Sequence, residues 1–364
     1  MMIVSKQHQI FFDFLRFCIG SESEIPSSLK EADWKVLYRI AQKQCLVGVL
    51  FDGIQKLPPA EVGMSKDLLL QWMMQCQMLE KANARLNDAA IQVSEWFRKK
   101  GFRTCILKGQ GNALLYPNGL HRTPGDIDIW VEGGDKRVIS FVRSISPHEK
   151  ACYHHIEFPS YKGVEVEVHY RPSFLLCFWH NRKLQKYYER VKEEQFSHRV
   201  MLGEQGEIAI PTVEFNLIFQ LTHIYAHLMN EGIGLRQLLD YYYVLISDDL
   251  LLIRDRVQKE LKELGLWKFA GAIMYIMQEV FGMPASRLIV PPNEKYGKFV
   301  LNEVLEAGNF GKHDKRYWFG KSKLGHNLQR VYRDMRLVRY FPAEALSEPF
   351  FRVWHFFWRL KHRR

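Results

Sequence analysis

The sequence predicts an α/β (α+β) protein, a small mixed-sheet core flanked by N-terminal and C-terminal helical regions. Three observations lead there. Apolar residues recur every three or four positions before residue 100 and again after about residue 210, which is the helical period. Between these stretches, short β-leaning runs alternate with helical ones. The composition, 47% hydrophobic and 25% charged over 364 residues, is that of a globular chain with room for two or three cores. The expected division is 1–100, helical; 101–205, the α/β core; and 206–364, helical with a basic aromatic tail.

Phe11, Phe14, Leu15 and Cys18 form one helical stripe, and Trp34, Leu37, Ile40 and Ala41 a second. Lys66 to Lys99 contains no Pro or Gly and reads as one long helix or two shorter ones. The pattern changes at Gly101. Phe102–Leu107 is a predicted strand ended by Lys108-Gly109, and Gln110 to Tyr116 a short helix stopped by Pro117-Asn-Gly119. Asp126 to Val131 is a strand and Lys136 to Ser146 a helix. Two more strands, Tyr153–Phe158 and Val164–Tyr170, flank a hairpin turn at Ser160-Tyr-Lys-Gly163. Helix returns after Pro211-Thr212, runs from Phe215 to Met229, breaks at Gly232-Ile-Gly234 and resumes from Leu235 to Ile246. Residues 250–281 and 294–307 are helical as well.

The net charge of +11 is unevenly placed: residues 311–364 hold fourteen Lys/Arg against four Asp/Glu. The rest is close to neutral, which argues against nucleic acid as the general partner. The six cysteines are spread out with no C-x-x-C pair, as expected of a reducing, cytoplasmic setting. The apolar run from Ile10 to Ile19 is interrupted by Asp13 and Arg16, so neither a signal peptide nor an integral membrane segment is expected.

Gly125-Asp-Ile-Asp-Ile-Trp130 carries the chemistry. Strand side chains alternate, so Asp126 and Asp128 share one face while Ile127 and Ile129 pack inward. Two carboxylates on one face repel unless a cation lies between them, and Mg²⁺ takes such oxygen ligands. Glu165, Glu167 and His169 share a face of the later strand, although a solvated polar face would look the same. Lys108-Gly-Gln-Gly111 follows a strand and opens a helix, a place where anions bind; an ordinary strand-to-helix turn would read identically. It is not a Walker A loop.

In this order, a glycine-bearing turn, a D-x-D strand and an acidic strand resemble the polymerase-β-like nucleotidyltransferase superfamily. The nearer resemblance is to a poorly characterised bacterial nucleotidyltransferase family within it. Lys108-Gly109 replaces the usual Gly-Ser pair, Arg122 precedes the D-x-D strand, and Glu167-Val-His169 matches an acid-x-His pattern. It continues through His227, Gly232-Ile-Gly-Leu-Arg-Gln-Leu-Leu-Asp240 and Gly308-Asn-Phe-Gly311, covering roughly residues 35–311. Two departures stand out: Gly109 precedes Asp126 by a long interval, and Glu167 replaces the commoner Asp. The resemblance implies transfer of a nucleoside monophosphate from an NTP such as ATP to a hydroxyl of an unknown small-molecule or protein acceptor. Pyrophosphate leaves, with Mg²⁺, or Mn²⁺ in its place, as cofactor. It implies that Asp126, Asp128 and Glu167 hold the metal, with Lys108, Gly109, Gln110 and Arg122 at the nucleotide phosphates. His169, His227, Arg236 and Asp240 are implied as cleft residues. His155, with His154 beside it at the hairpin start, is a further candidate to reach substrate, against solvent exposure on an edge strand. Rival classes are a degenerate nucleotidyltransferase that binds nucleotide or a partner without turnover, and a nucleic-acid binder using the basic C-terminus.

His223 and His227 stand four apart on one helix face, but nothing nearby completes a zinc set. Arg236 and Asp240 have the same spacing and read as an intrahelical pair. The tail from Pro349 to Arg364 mixes aromatics and cations. Packing of its aromatics on the helical region is the favoured expectation, ahead of docking on an anionic membrane surface or a protein partner.

Overall fold

The computed structural model describes residues 4–59, 63–204, 206–314, 316 and 323–362. The N-terminal region holds α1 (Lys6–Ile19), α2 (Trp34–Gln44), α3 (Val47–Lys56) and α4 (Lys66–Lys99). Three of these start on a side-chain cap: Ser5, Asp33 and Ser65 each accept from a backbone N–H of the first turn of α1, α2 and α4. With no Pro or Gly inside it, α4 is one continuous helix of 34 residues.

The chain then forms β1 (Thr104–Ile106), a single helical turn α5 (Gln110–Ala113), β2 (Ile127–Val131), α6 (Gly134–Ile145), β3 (His155–Tyr161) and β4 (Val164–His169). These strands make a mixed sheet in the order β1-β2-β4-β3, with β2 and β4 parallel and both outer pairs antiparallel. The β3–β4 turn puts Lys162 and Gly163 at positive φ, as two-residue hairpin loops require. The helix expected over Gln110–Tyr116 is shorter, giving way to a turn and a 3₁₀ segment at Gly119–His121. Four residues carry little macrodipole, so the anion site expected at its N-terminus lacks that support.

Beyond the sheet come α7 (Phe178–Ser197) and a separate two-stranded ribbon, β5 (Arg199–Leu202) with β6 (Gly206–Ala209). Then follow α8 (Val213–Asn230), α9 (Leu235–Leu245), α10 (Leu250–Glu263), α11 (Trp267–Phe281), α12 (Glu294–Ala307), α13 (Lys323–Leu337) and α14 (Pro342–Lys361). One apolar cluster gathers residues of α4, the sheet and α6; a larger one joins N-terminal helices to α8, α9 and α11. The two helical regions, far apart in sequence, therefore meet in one core.

Two short motifs interlock beside the sheet. A Cβ at Gly311 would lie 2.1 Å from the Glu231 carbonyl oxygen, so only glycine lets the Gly308–Gly311 turn close on the α8–α9 junction. That closure holds Phe310 at φ 53°, a strained value for a side-chain-bearing residue, and turns its ring to the cleft described below.

The tail forms α14, and its two faces differ. Phe351 is buried, and Trp354 packs edge-on against Tyr153. Leu346, Phe350, Val353, Phe357 and Leu360, spaced four and three apart, are exposed along the other face. Packing is found on one face only, and against Tyr153 and Phe174 of the α/β core rather than the helical region expected. Among the described residues no helix is long and apolar enough to cross a membrane.

Candidate active site

Asp128 is the second residue of β2, buried, and its register partner across the parallel pair is Glu167 of β4. Asp126 lies just ahead of β2, on the same side by the two-residue alternation. The structure brings the three carboxylates together: Asp126, Asp128 and Glu167 each offer an oxygen within 4.8 Å of the others. Ile127 and Ile129 are buried in the core, as the alternation requires.

Lys108 arrives from β1. Leu107 N–H donates to the Asp128 carbonyl oxygen at 2.9 Å, extending the ladder one residue past the strand. Gly109 then takes φ +52°, ψ −111°, a backbone conformation closed to side-chain-bearing residues. The Lys108 ammonium lies 2.9 Å from Asp128 Oδ1 and donates to His223 Nε2 at 3.1 Å. His223 is held neutral by burial and by the charge of Lys108. Burial opposes the charge on Lys108, but Asp128, Asp126 and Glu167 outweigh it and raise its pKa.

The electrostatics separate the three acids. Asp126 is pushed up to about 6, first by the charge of Asp128 and then by burial. Burial also disfavours ionised Asp128, yet Lys108 and a 2.9 Å contact with His169 Nε2 hold it well below the usual range. Glu167 is lowered as well: burial is outweighed by His169 and His155. His169 pays for its burial through Asp128 and Glu167, which raise it to about 9. His155 is driven down to about 4, by burial and then by the charge of His169. A carboxyl raised by its carboxylate neighbour is one that a divalent cation would bring back down. Together with the oxygen donor set, Asp126 shows that these residues fit such an ion.

A cleft of about 670 Å³ opens over the acids, lined by β3 and β4 residues, His223 and His227 of α8, and Phe351 and His355 of α14. A smaller recess shares Lys108, Asp126 and Asp128 with it and reaches Arg236 and Phe310. His227 contacts the rings of His223 and Phe310, 4.3 and 5.1 Å away. No third ligand joins His223 and His227 among the described residues.

Several predicted roles change. Arg122 is buried and makes a two-pronged ion pair with Asp240, Nε to Oδ1 and Nη2 to Oδ2, both 2.8 Å. Asp240 also accepts from the Tyr116 hydroxyl at 2.7 Å. The expected Arg236–Asp240 intrahelical pair is therefore not made; Arg122, 118 residues distant, takes the carboxylate. Arg236 instead donates to the Thr123 carbonyl oxygen at 3.1 Å and leaves Nε without a hydrogen-bond partner. Gln110 turns from the acids to Asn87 and lines a different cavity. His154 and His155, the doublet weighed against edge-strand exposure, both line the cleft; sequence reading missed Cys152 beside them, and Tyr116.

A small mixed sheet bearing these acids beneath helical flanks is the architecture expected of a nucleotidyltransferase. The chain belongs to a family of uncharacterised nucleotidyltransferases, whose model matches residues 30–282. No curated protein sequence matches the chain. Among solved structures it is similar to an antigenic nucleotidyltransferase-like protein from Paracoccidioides brasiliensis, at 15% identity and a TM-score of 0.29, covering 50% of this chain and 92% of that one.

Proposed function

We propose that the chain moves a nucleoside monophosphate from an NTP to a hydroxyl of a small molecule or protein, with release of pyrophosphate. The convergence of Asp126, Asp128 and Glu167 beside Lys108 carries this reading. Mg²⁺, or Mn²⁺ in its place, would be held by the three carboxylates and would stabilise charge on the phosphoryl oxygens. Lys108 and Arg236 are the cations for the triphosphate. Arg122 and Gln110 are positioning residues: the first holds Asp240 and the second the α5 turn. The acceptor oxygen bonds to the α-phosphorus as the bond to the pyrophosphate oxygen breaks. The hydroxyl proton passes to Glu167, which its neighbours keep ionised.

The test is pyrophosphate release with each NTP, Mg²⁺ and a panel of acceptors that includes the protein itself. Turnover should appear with at least one combination and vanish in Asp126→Ala/Asp128→Ala; turnover surviving that double variant would sink the mechanism. A second reading has one observation in its favour. Lys108 and His169 both pair with Asp128 Oδ1, which would let the site take a nucleotide without a cation on that carboxylate. That reading predicts NTP binding equally tight with and without Mg²⁺.

A further inference from the structure

On the β3–β4 wall of the cleft, nitrogen donors join the oxygens. His155 and His169 are register partners across the antiparallel pair, and Glu167 shares their face two residues before His169. His155 Nδ1 lies 3.3 Å and His169 Nε2 3.4 Å from the same oxygen, Glu167 Oε2. All three donor atoms fall within 4.8 Å of one another.

We propose that His155, Glu167 and His169 form a second cation site, selective for a later first-row transition ion such as Co²⁺ or Zn²⁺. It is joined through Glu167 to the all-oxygen set of Asp126, Asp128 and Glu167. Bonds of about 2.0–2.2 Å in a tetrahedral arrangement separate neighbouring donors by roughly 3.3–3.6 Å, and both contacts through Glu167 fall there. Imidazole nitrogen suits transition ions, whereas Mg²⁺ prefers oxygen ligands throughout. Two histidines and one carboxylate leave coordination positions open, and all three residues face the cleft. A neighbouring set, Cys152, His154 and His155, also has ligand spacing. It offers no carboxylate to offset the ion's charge and needs the Cys152 thiol to ionise despite its burial. The Glu167 set, in which His169 Nε2 gives up its proton and its 2.9 Å Asp128 contact to the ion, is therefore the better site. The proposal deepens the transfer reading and rests on it only through the shared Glu167.

Cobalt(II) alone is the probe, titrated into the full-length chain after chelator treatment and followed by visible absorption and bound-metal stoichiometry. One Co²⁺ per chain should bind with ligand-field bands of a nitrogen–oxygen site and resist a large excess of Mg²⁺. His155→Ala and His169→Gln should each weaken binding by at least about tenfold, with circular dichroism confirming that both fold. Asp126→Asn, which damages the oxygen set alone, should leave cobalt affinity within about threefold. Displacement of Co²⁺ by Mg²⁺ overturns the site, as does affinity indifferent to both histidine variants. A sulfur-to-cobalt charge-transfer band lost in Cys152→Ser assigns the ion to the other set and also overturns it. Cobalt binding without nucleotidyl transfer would defeat the function but not this site. Transfer supported by Mg²⁺ without cobalt binding would do the reverse.

Discussion

Arg122 and Asp240 meet in a buried, two-pronged ion pair that ties the loop before β2 to α9. Because both groups are desolvated, each is costly without the other. Arg122→Ala or Asp240→Ala should destabilise the protein by about 3–5 kcal/mol in urea denaturation. The apolar double variant Arg122→Met/Asp240→Leu should recover much of that loss. If the single variants cost less than about 1 kcal/mol, the pair is not a desolvated one.

Arg236 is the contrasting cation. Burial and the nearby charge of Arg122 depress its pKa, and its Nε has no hydrogen-bond partner. Arg236→Met should therefore leave the free protein as stable or slightly more so, while weakening NTP binding by about ten- to a hundredfold. Isothermal titration and thermal melting on one preparation read both effects. A variant that binds NTP normally would remove Arg236 from the phosphate site.

The raised pKa of His169, about 9 in the folded protein against an ordinary 6.5, sets a pH dependence. The folded state holds the proton more tightly, so this stabilisation is complete below pH 6.5 and is lost as pH rises through about 9. The Tm of chelator-treated protein should fall across that window, and less steeply in His169→Gln. Parallel profiles for the two proteins would contradict the coupling of His169 to Asp128 and Glu167.

Adjacent residues of α14 should behave oppositely. Phe351 is 5% exposed and stacks on Phe174 with ring centroids 5.1 Å apart, whereas Phe350 is 71% exposed. Phe351→Ala should cost about 3–5 kcal/mol. Phe350→Ser should stay within about 0.5 kcal/mol while reducing self-association or surface adsorption in light scattering. Equal losses for the two would mean that the exposed stripe is covered in solution.

The sequence by itself determined whatever depends on short-range period and backbone chemistry. Alternation along a strand was enough to put Asp126 and Asp128 on one side and Ile127 and Ile129 in the core. Lys108-Gly109 marked the sharp turn because φ +52° with ψ −111° admits only glycine. The absence of breakers from Lys66 to Lys99 allowed a single helix. The tertiary structure decided which distant groups meet. Parallel pairing of β2 with β4 set Glu167 opposite Asp128, and antiparallel pairing of β3 brought His155 to Glu167 and His169. Asp240 had a plausible partner four residues away, but packing of α9 against the loop before β2 delivered Arg122 with better geometry. Local spacing lists the partners a side chain can reach; desolvation and two-pronged geometry choose among them, and those arise only when the chain has folded.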